Sequence, residues 1–345
     1  LAEATGKNAS TIHRLLGFAP GIGFTKNQKN KLRADVVIVD EVSMVDILLA
    51  NALLRALPSS CRLIFVGDAD QLPAVGPGNF LQDMIQSQNI PVVKLKEIFR
   101  QAKKSLIVVN AHRINQGKFP LLSAPSKTCE FSSQEKDFYF IEEKDAEKVE
   151  KIVISLCCKE LPKKFGFDPF SDIQVISPLY KGQAGVTRLN RILQEILNPS
   201  GKAFKRGQMV FKEGDKVMQL KNNYEKEVFN GDIGTIKKVD EEEKVIEVNF
   251  PEKDVLYQDD DLNQLTLAYA ISVHKSQGSE YPVVIMPVIM SHYIMLQRNL
   301  IYTALTRAKK RVFLVGEKRA LTIAIKNDRI AKRFTKLAER LLAEN

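Results

Sequence analysis

Apolar residues along the chain fall into two patterns, and each predicts a different element. Val36 to Val39 form a continuous β-branched run without polar alternation, and Leu63 to Val66 repeat it. Such runs fit parallel strands buried on both faces, and so predict a sheet covered by helices. Residues 282–290, "PVVIMPVIM", add a strand of the same kind. Elsewhere the period is helical. "AEKVEKIVISLCCKEL" places Val149, Ile152, Val153 and Leu156 on one stripe, and "GVTRLNRILQEIL" does so with Val186, Leu189, Leu193 and Ile196. Both read as core-facing helices. From Lys318 to Arg340 eight basic residues stand against two acidic ones, on an expected helix whose stripe includes Ile330, Phe334, Leu337 and Leu341. That composition fits a solvated helix face.

Between Ala203 and Leu262 the pattern changes. "GDKVMQLKNN", "GTIKKVD", "KVIEVNF" and "DVLYQ" are short strand-like runs, separated by Gly214-Asp215, Asn230-Gly231-Asp232 and the acidic turn "DEEEK". They predict a small SH3-like β-barrel inserted in an α/β domain. Segments near 118–136 and 160–172, rich in Pro, Ser and Lys, read as surface connections.

Composition narrows the class. At 345 residues the chain is long enough for two or more domains. No apolar run approaches the roughly 20 residues of a membrane span, so no membrane anchor is expected. Four cysteines without a C-x-x-C and four scattered histidines suit reduced thiols in a cytoplasmic protein without a zinc site. The net charge of +10 suits a polyanionic partner, although it also serves solubility.

The chemistry sits where the apolar runs end. Ligands of parallel sheets bind at the carboxyl ends of strands, and there Asp40 and Glu41 follow Val39. Adjacent carboxylates point in different directions, so Asp40 can hold hydrated Mg²⁺ while Glu41 orients and deprotonates an attacking water. After the second run come Gly67, Asp68 and then Gln71. A neutral amide there can hydrogen-bond both a γ-phosphate and the attacking water, which makes Gln71 a candidate sensor of intact ATP. Arg100 and Arg307 are candidates for stabilising charge on a transferred phosphoryl group. Gly278 allows close backbone approach to a ligand, and Glu280 can hydrogen-bond a ribose hydroxyl.

A strand ending in paired carboxylates resembles a Walker B segment, whose partner is a G-x-x-x-x-G-K-[ST] phosphate loop. The Gly-Lys pairs here are Gly6-Lys7, Gly117-Lys118 and Gly201-Lys202, and none precedes Ser or Thr. The expectation is that the phosphate loop lies upstream, this chain being the carboxyl-terminal part of a longer motor.

Six blocks in order carry a more specific resemblance: "STIHRLLGF" (10–18), "DEVSMVD" (40–46), "GDADQLPAVGPG" (67–78), "EIFRQA" (97–102), "AYAISVHKSQGSE" (268–280) and "NLIYTALTRAKKRVFLVG" (299–316). The chain is similar through these to superfamily 1 DNA helicases of the RecD-like type, which include exodeoxyribonuclease V alpha subunits and stand-alone relatives. The resemblance implies two RecA-like P-loop NTPase motor domains with an SH3-like β-barrel insertion in the second. Expected boundaries are 1–93 for a truncated first motor domain, 94–202 and 263–345 for the second, and 203–262 for the insertion. It also implies ATP and Mg²⁺ as cofactors and 5′ to 3′ movement on single-stranded DNA in recombination or repair. Implied partners are single-stranded DNA and duplex junctions, with other exodeoxyribonuclease V subunits or a monomeric state as the options. By the same resemblance Thr11, His13, Arg14, His274, Lys275 and Ser276 lie near the DNA strand, while Ile12, Leu15 and Leu16 read as core. Conjugative TraA-type relaxases and Pif-type helicases share related blocks and remain alternatives. A non-catalytic DNA-binding or scaffold subunit is the alternative from another class.

Overall fold

A computed structural model describes residues 6, 9–19, 21–95, 104–122, 136–207, 209–328, 333 and 335–343. These fall into two compact units. One gathers the described residues within Leu1–Glu97 and Arg329–Asn345, the other those within Ile98–Asp328. The carboxyl-terminal segment, assigned by sequence to the second motor domain, is thus grouped with the first unit.

The first unit opens with the single-turn helix α1 (Ile12–Leu15) and a hairpin of β1 (Phe18–Ala19) and β2 (Gly23–Phe24). Strand β3 (Val36–Val39) runs parallel to β4 (Arg62–Phe65), with Val36 opposite Arg62 and Val39 opposite Phe65. Helix α2 (Ile47–Ala56) makes the crossover, its amino terminus capped by the Asp46 carboxylate accepting from the Leu49 amide. Its Ala50, Leu53 and Ala56 join Val37 and Val39 in the core, together with Phe80 from helix α3 (Phe80–Gln86).

Two expectations are corrected here. Val36 and Ile38 are 48% and 51% exposed, so β3 is buried on one face rather than both. Within the described residues this sheet has two strands and its core lies on the Val37–Val39 side. Leu16 is fully buried as expected, but Leu15 points outward.

In chain order the second unit contains helix α4 (Leu106–Asn115), β5 (Phe138–Glu142), helix α5 (Ala146–Ser155), a π-helical stretch Leu156–Glu160, helix α6 (Leu161–Phe165), β6 (Ile173–Ser177) and helix α7 (Val186–Leu197). The insertion follows with β7 (Ala203–Arg206), β8 (Met209–Lys212), β9 (Lys216–Gln219), β10 (Ile233–Asp240), β11 (Val245–Asn249), β12 (Asp254–Gln258) and β13 (Leu265–Leu267). The chain then returns through β14 (Ala270–Ser272), β15 (Tyr281–Val288), helix α8 (Arg298–Leu305), β16 (Ala308–Gly316) and helix α9 (Lys318–Lys326). Five strands form one parallel sheet in the order β14-β6-β15-β16-β5. The predicted stripes supply its cover: Val149, Val153, Leu156, Leu189 and Leu193 all pack on it. Ile196 does not, being about half exposed at the last turn of α7. Residues Leu161–Phe165, read from sequence as a surface connection, are helical.

The insertion is a five-stranded antiparallel sheet in the order β12-β11-β10-β9-β13, with β7 and β8 as a separate hairpin. It is not a closed barrel: among the described strands no ladder joins β12 to β13, which are connected by the 3-10 segment Asp259–Gln264. Phe204 and Phe211 from the hairpin cover the sheet instead, completing a core with Val217, Ile236, Val248 and Tyr257.

The predicted single helix over 318–340 is also corrected. Helix α9 ends at Lys326, and a second helix spans Leu337–Ala343. Lys336 has a left-handed backbone, φ 56°, which separates the two. Ile330 and Phe334 lie outside the described residues.

Candidate active site

The parallel pairing of β3 and β4 brings their carboxyl ends side by side. The Val66 amide donates to the Val39 carbonyl (2.8 Å), and the Val42 amide to that of Val66 (3.0 Å). Asp40 and Glu41 therefore leave the sheet beside Gly67 and Asp68. Asp40 is exposed, and its Oδ1 accepts from the Glu41 amide at 2.9 Å. Glu41 has φ 52° and ψ 42°, a left-handed conformation that costs a non-glycine residue about 1 kcal/mol or more. Strain of this kind concentrates at functional positions, where surrounding structure over-determines it.

Gln71 is only 7% exposed. Its Nε2 donates to Asp68 Oδ2 at 3.3 Å, while its Oε1 has no partner among the described residues. The hydroxyl of buried Ser43, two residues beyond Glu41, is likewise without one among the described residues. Buried polar atoms are nearly always satisfied, so a lone acceptor and a lone hydroxyl on the two loops that follow β3 and β4 mark a place for a polar ligand or water. The sequence contained Ser43 inside "DEVSM", but nothing in its spacing distinguished it from a packing residue.

No group of three or more Asp, Glu, His or Cys side chains among the described residues could cage a metal. Mg²⁺ does not need one, since it commonly takes one or two carboxylates and completes its shell with water and substrate phosphates. The exposed carboxylate of Asp40 fits that mode.

The other first-unit candidates are partly engaged in local structure. The Thr11 hydroxyl caps α1 by accepting from the Arg14 amide at 3.2 Å. The His13 ring packs against Phe18 and Phe24, with centroids 5.8 and 5.5 Å away. Burial lowers its pKa, partly offset by Asp46. Arg14 is exposed.

In the second unit the segment after β14 carries the remaining candidates. His274, Lys275 and Ser276 form a 3-10 turn. Burial lowers the pKa of His274, favouring the neutral ring. Lys275 Nζ donates to the Asn230 side chain of the insertion, and burial lowers its pKa too. Ser276 is fully buried and its hydroxyl donates to the Val273 carbonyl at 2.8 Å, so its side chain is engaged within the turn. Gly278 has φ 76°, a conformation that favours glycine. Arg307 is 4% exposed, with Nη1 donating to the Ser279 carbonyl and Nη2 to Thr306 Oγ1, each at 3.3 Å. Its own carbonyl accepts from the Tyr281 amide at 2.8 Å. The structure thus brings Arg307 against residues 278–281, while Glu280 pairs with Lys309 at 3.1 Å on the surface. Arg100 lies outside the described residues.

Comparison with known proteins places the chain among helicase relatives. Residues 1–77 match a family model described as an AAA domain, residues 189–250 the SH3 domain of ATP-dependent RecD-like DNA helicases, and residues 267–315 the UvrD-like helicase C-terminal domain. The chain is 38% identical to the ATP-dependent RecD2 DNA helicase of Deinococcus radiodurans over 99% of its own length and 44% of that protein. With the RecBCD enzyme subunit RecD of Mycolicibacterium smegmatis it shares 28% identity, covering 98% of this chain and 60% of that one. It therefore spans less than two thirds of these relatives. A Bacteroides Pif1 helicase solved with ADP-AlF3 and ssDNA has a similar fold, with TM-score 0.55 at 18% identity over 100% of this chain and 85% of that one. Pif1 helicase from Candida albicans gives 0.52 at 18% identity, over 97% and 85%. With this likeness spread over nearly its whole length, and with RecD SH3 and UvrD-like helicase domains in that order, the chain is a homologue of the RecD-like superfamily 1 helicases.

Proposed function

We propose that the chain is the motor portion of an ATP-dependent DNA helicase that moves 5′ to 3′ on single-stranded DNA and acts in recombination or repair in the cytoplasm. One observation carries the catalytic reading: Glu41, held in a left-handed conformation, and Gln71, with a buried and unpartnered amide oxygen, emerge from adjacent parallel strands. Glu41 takes a proton from the attacking water, and Gln71 Oε1 accepts a hydrogen bond from the same water. Asp40 would hold Mg²⁺, which when bound supplies charge neutralisation for the phosphates. Arg307, with Arg100, provides the fixed guanidinium donors for charge on the transferred phosphoryl group. Gly278 and Glu280 serve the nucleotide, with Glu280 reaching a ribose hydroxyl.

Thr11, His13, Arg14, His274, Lys275 and the Ser276 turn are proposed to border single-stranded DNA, whose affinity would be sensitive to salt and tolerant of sequence. Duplex junctions are the substrate, and other exodeoxyribonuclease V subunits are candidate partners. The 345 residues contain no G-x-x-x-x-G-K-[ST], so by itself this chain should bind single-stranded DNA weakly without turning over ATP.

The test is unwinding by the full-length protein of duplexes with a 5′ or a 3′ single-stranded tail. Unwinding from the 5′ tail alone, lost in Glu41→Gln, is the expected result. Binding of both substrates without unwinding either would favour a scaffold role instead.

A further inference from the structure

Residues 74–78, "AVGPG", curl so that three carbonyl oxygens converge on one nitrogen. Arg333 Nη1 donates to Ala74, Gly76 and Gly78 at 2.7, 2.6 and 2.6 Å. One Nη carries two hydrogens, so the three carbonyls share them and are held also by the positive charge. Without the guanidinium three carbonyl dipoles would face one another in a partly buried space, a self-repelling arrangement.

The far side of the loop is pinned independently. The Pro77 carbonyl accepts from the Ile47 amide at 3.0 Å. A Cβ on Gly76 would stand 1.9 Å from Asp46 Oδ2, so the loop runs bare against the residue that caps α2. Gly78 has φ +84°. The strand of chain bearing Arg333 is itself anchored on the first unit, by Thr335 Oγ1 donating to Asp83 Oδ2 at 2.8 Å and by Leu337 packing on the core. Only Leu72 and Pro73 separate Gln71 from the first clamped carbonyl, and Leu72 and Ala74 are both buried, so a shift of residues 74–78 has a short path along the chain to Gln71.

We propose that Arg333, more than 250 residues from the loop in sequence, is a positioning residue that fixes Gln71 for ATP hydrolysis by gathering the carbonyls of Ala74, Gly76 and Gly78. This rests on the role of Gln71 stated under Proposed function. Arg333 itself touches no reacting atom.

In the full-length protein, Arg333→Met keeps the apolar stem and removes every donor, whereas Arg333→Lys keeps a charge with three donors. Two quantities are read: amide exchange over residues 70–78, and kcat against KM for ATP with single-stranded DNA present. Arg333→Met should speed exchange at Val75 and Gly76 and lower kcat about tenfold, as small misplacements at reacting groups do, with KM for ATP and DNA affinity little changed. Arg333→Lys should recover a large part of both. Unchanged exchange in Arg333→Met overturns the clamp, and faster exchange with unchanged kcat overturns its link to Gln71. Should Arg333→Met fail to fold, Arg333→Gln, which retains one donor group, is read by the same two quantities. A wild type without ATPase activity would overturn the proposed function and the positioning role together. An active wild type matched by Arg333→Met would overturn the positioning role alone.

Discussion

A Cβ on Gly67 would stand 3.0 Å from the backbone nitrogen of Val42 and 3.3 Å from that of Ser43. The loops that follow β3 and β4 therefore touch through bare backbone, one residue from Glu41 on one side and four from Gln71 on the other. A Leu81 methyl at 3.1 Å could rotate aside, but the two backbone nitrogens could not.

Gly67→Ala should accordingly destabilise the first unit by about 1–3 kcal/mol, the usual cost of forcing a methyl group into a packed site. Urea unfolding of this chain measures it. In the full-length protein the same variant should lose more unwinding activity than its stability explains, because the two loops are pushed apart. A variant as stable and active as wild type would show that the loops do not need this contact.

Much of this first-unit geometry was legible in the sequence, and the reason is local. Val36–Val39 and Leu63–Val66 announce two parallel strands, and the residues after them are forced to one end of the sheet by the pairing. The open face of β3 was not legible, since a β-branched run reads the same whether one or both faces are covered. Helical stripes predicted Val149, Val153, Leu189 and Leu193 as core correctly, but failed at Ile196, where the helix ends and its last turn faces solvent. The SH3-like insertion was visible from its turns, while its lack of closure depends on edge pairing that turn residues do not encode. Arg333 was invisible because its three partners are distant in sequence and are backbone carbonyls, which carry no residue identity.

At the root of the insertion Asp215 is fully buried and accepts four hydrogen bonds. They come from the side chains of Asn198 (2.8 Å), Gln194 and Tyr269 (2.9 Å) and from the Lys212 amide (2.7 Å). Burial pushes its pKa up, and the donors pull against that shift. Asp215→Ala would strand all four donors, so it should cost about 3 kcal/mol or more. Asp215→Asn keeps the shape but turns an amide toward existing donors, and should cost less. Denaturant titrations of the two variants test that order. Equal, small losses would mean that water replaces the carboxylate.

Lys216, next in sequence, gives a pH signature. Burial lowers its pKa to about 8 from the usual 10.5, against the opposing influence of Cys157 and Asp168. Below pH 8 both folded and unfolded chains hold the proton, and the folded state bears the cost of a buried charge. Between pH 8 and 10.5 the unfolded chain holds more protons, so this residue's contribution to stability rises with pH. The full shift corresponds to about 3 kcal/mol. Lys216→Met should therefore be more stable than wild type at pH 7, and its advantage should shrink as pH approaches 10. An advantage independent of pH would show that the ammonium is not the source of the cost.

Arg307 is at once buried and the strongest candidate for stabilising transferred phosphate, so its substitution needs two readings. Its guanidinium is oriented by the Ser279 carbonyl and the Thr306 hydroxyl, both neutral acceptors. An arginine supplying charge to a phosphoryl transition state contributes roughly 10³ to 10⁵ in rate, or about 4 to 7 kcal/mol of barrier. Arg307→Ala in the full-length protein should lower kcat for ATP by about 10³ while DNA affinity changes little. Arg307→Lys should recover only a small part, because a single ammonium cannot reproduce a planar fork that reaches Ser279 and Thr306 together. If both variants instead lower thermal stability in proportion to their loss of rate, Arg307 acts as a packing residue for the 278–281 turn. A kcat loss that far exceeds the loss of stability assigns the guanidinium to the reaction itself.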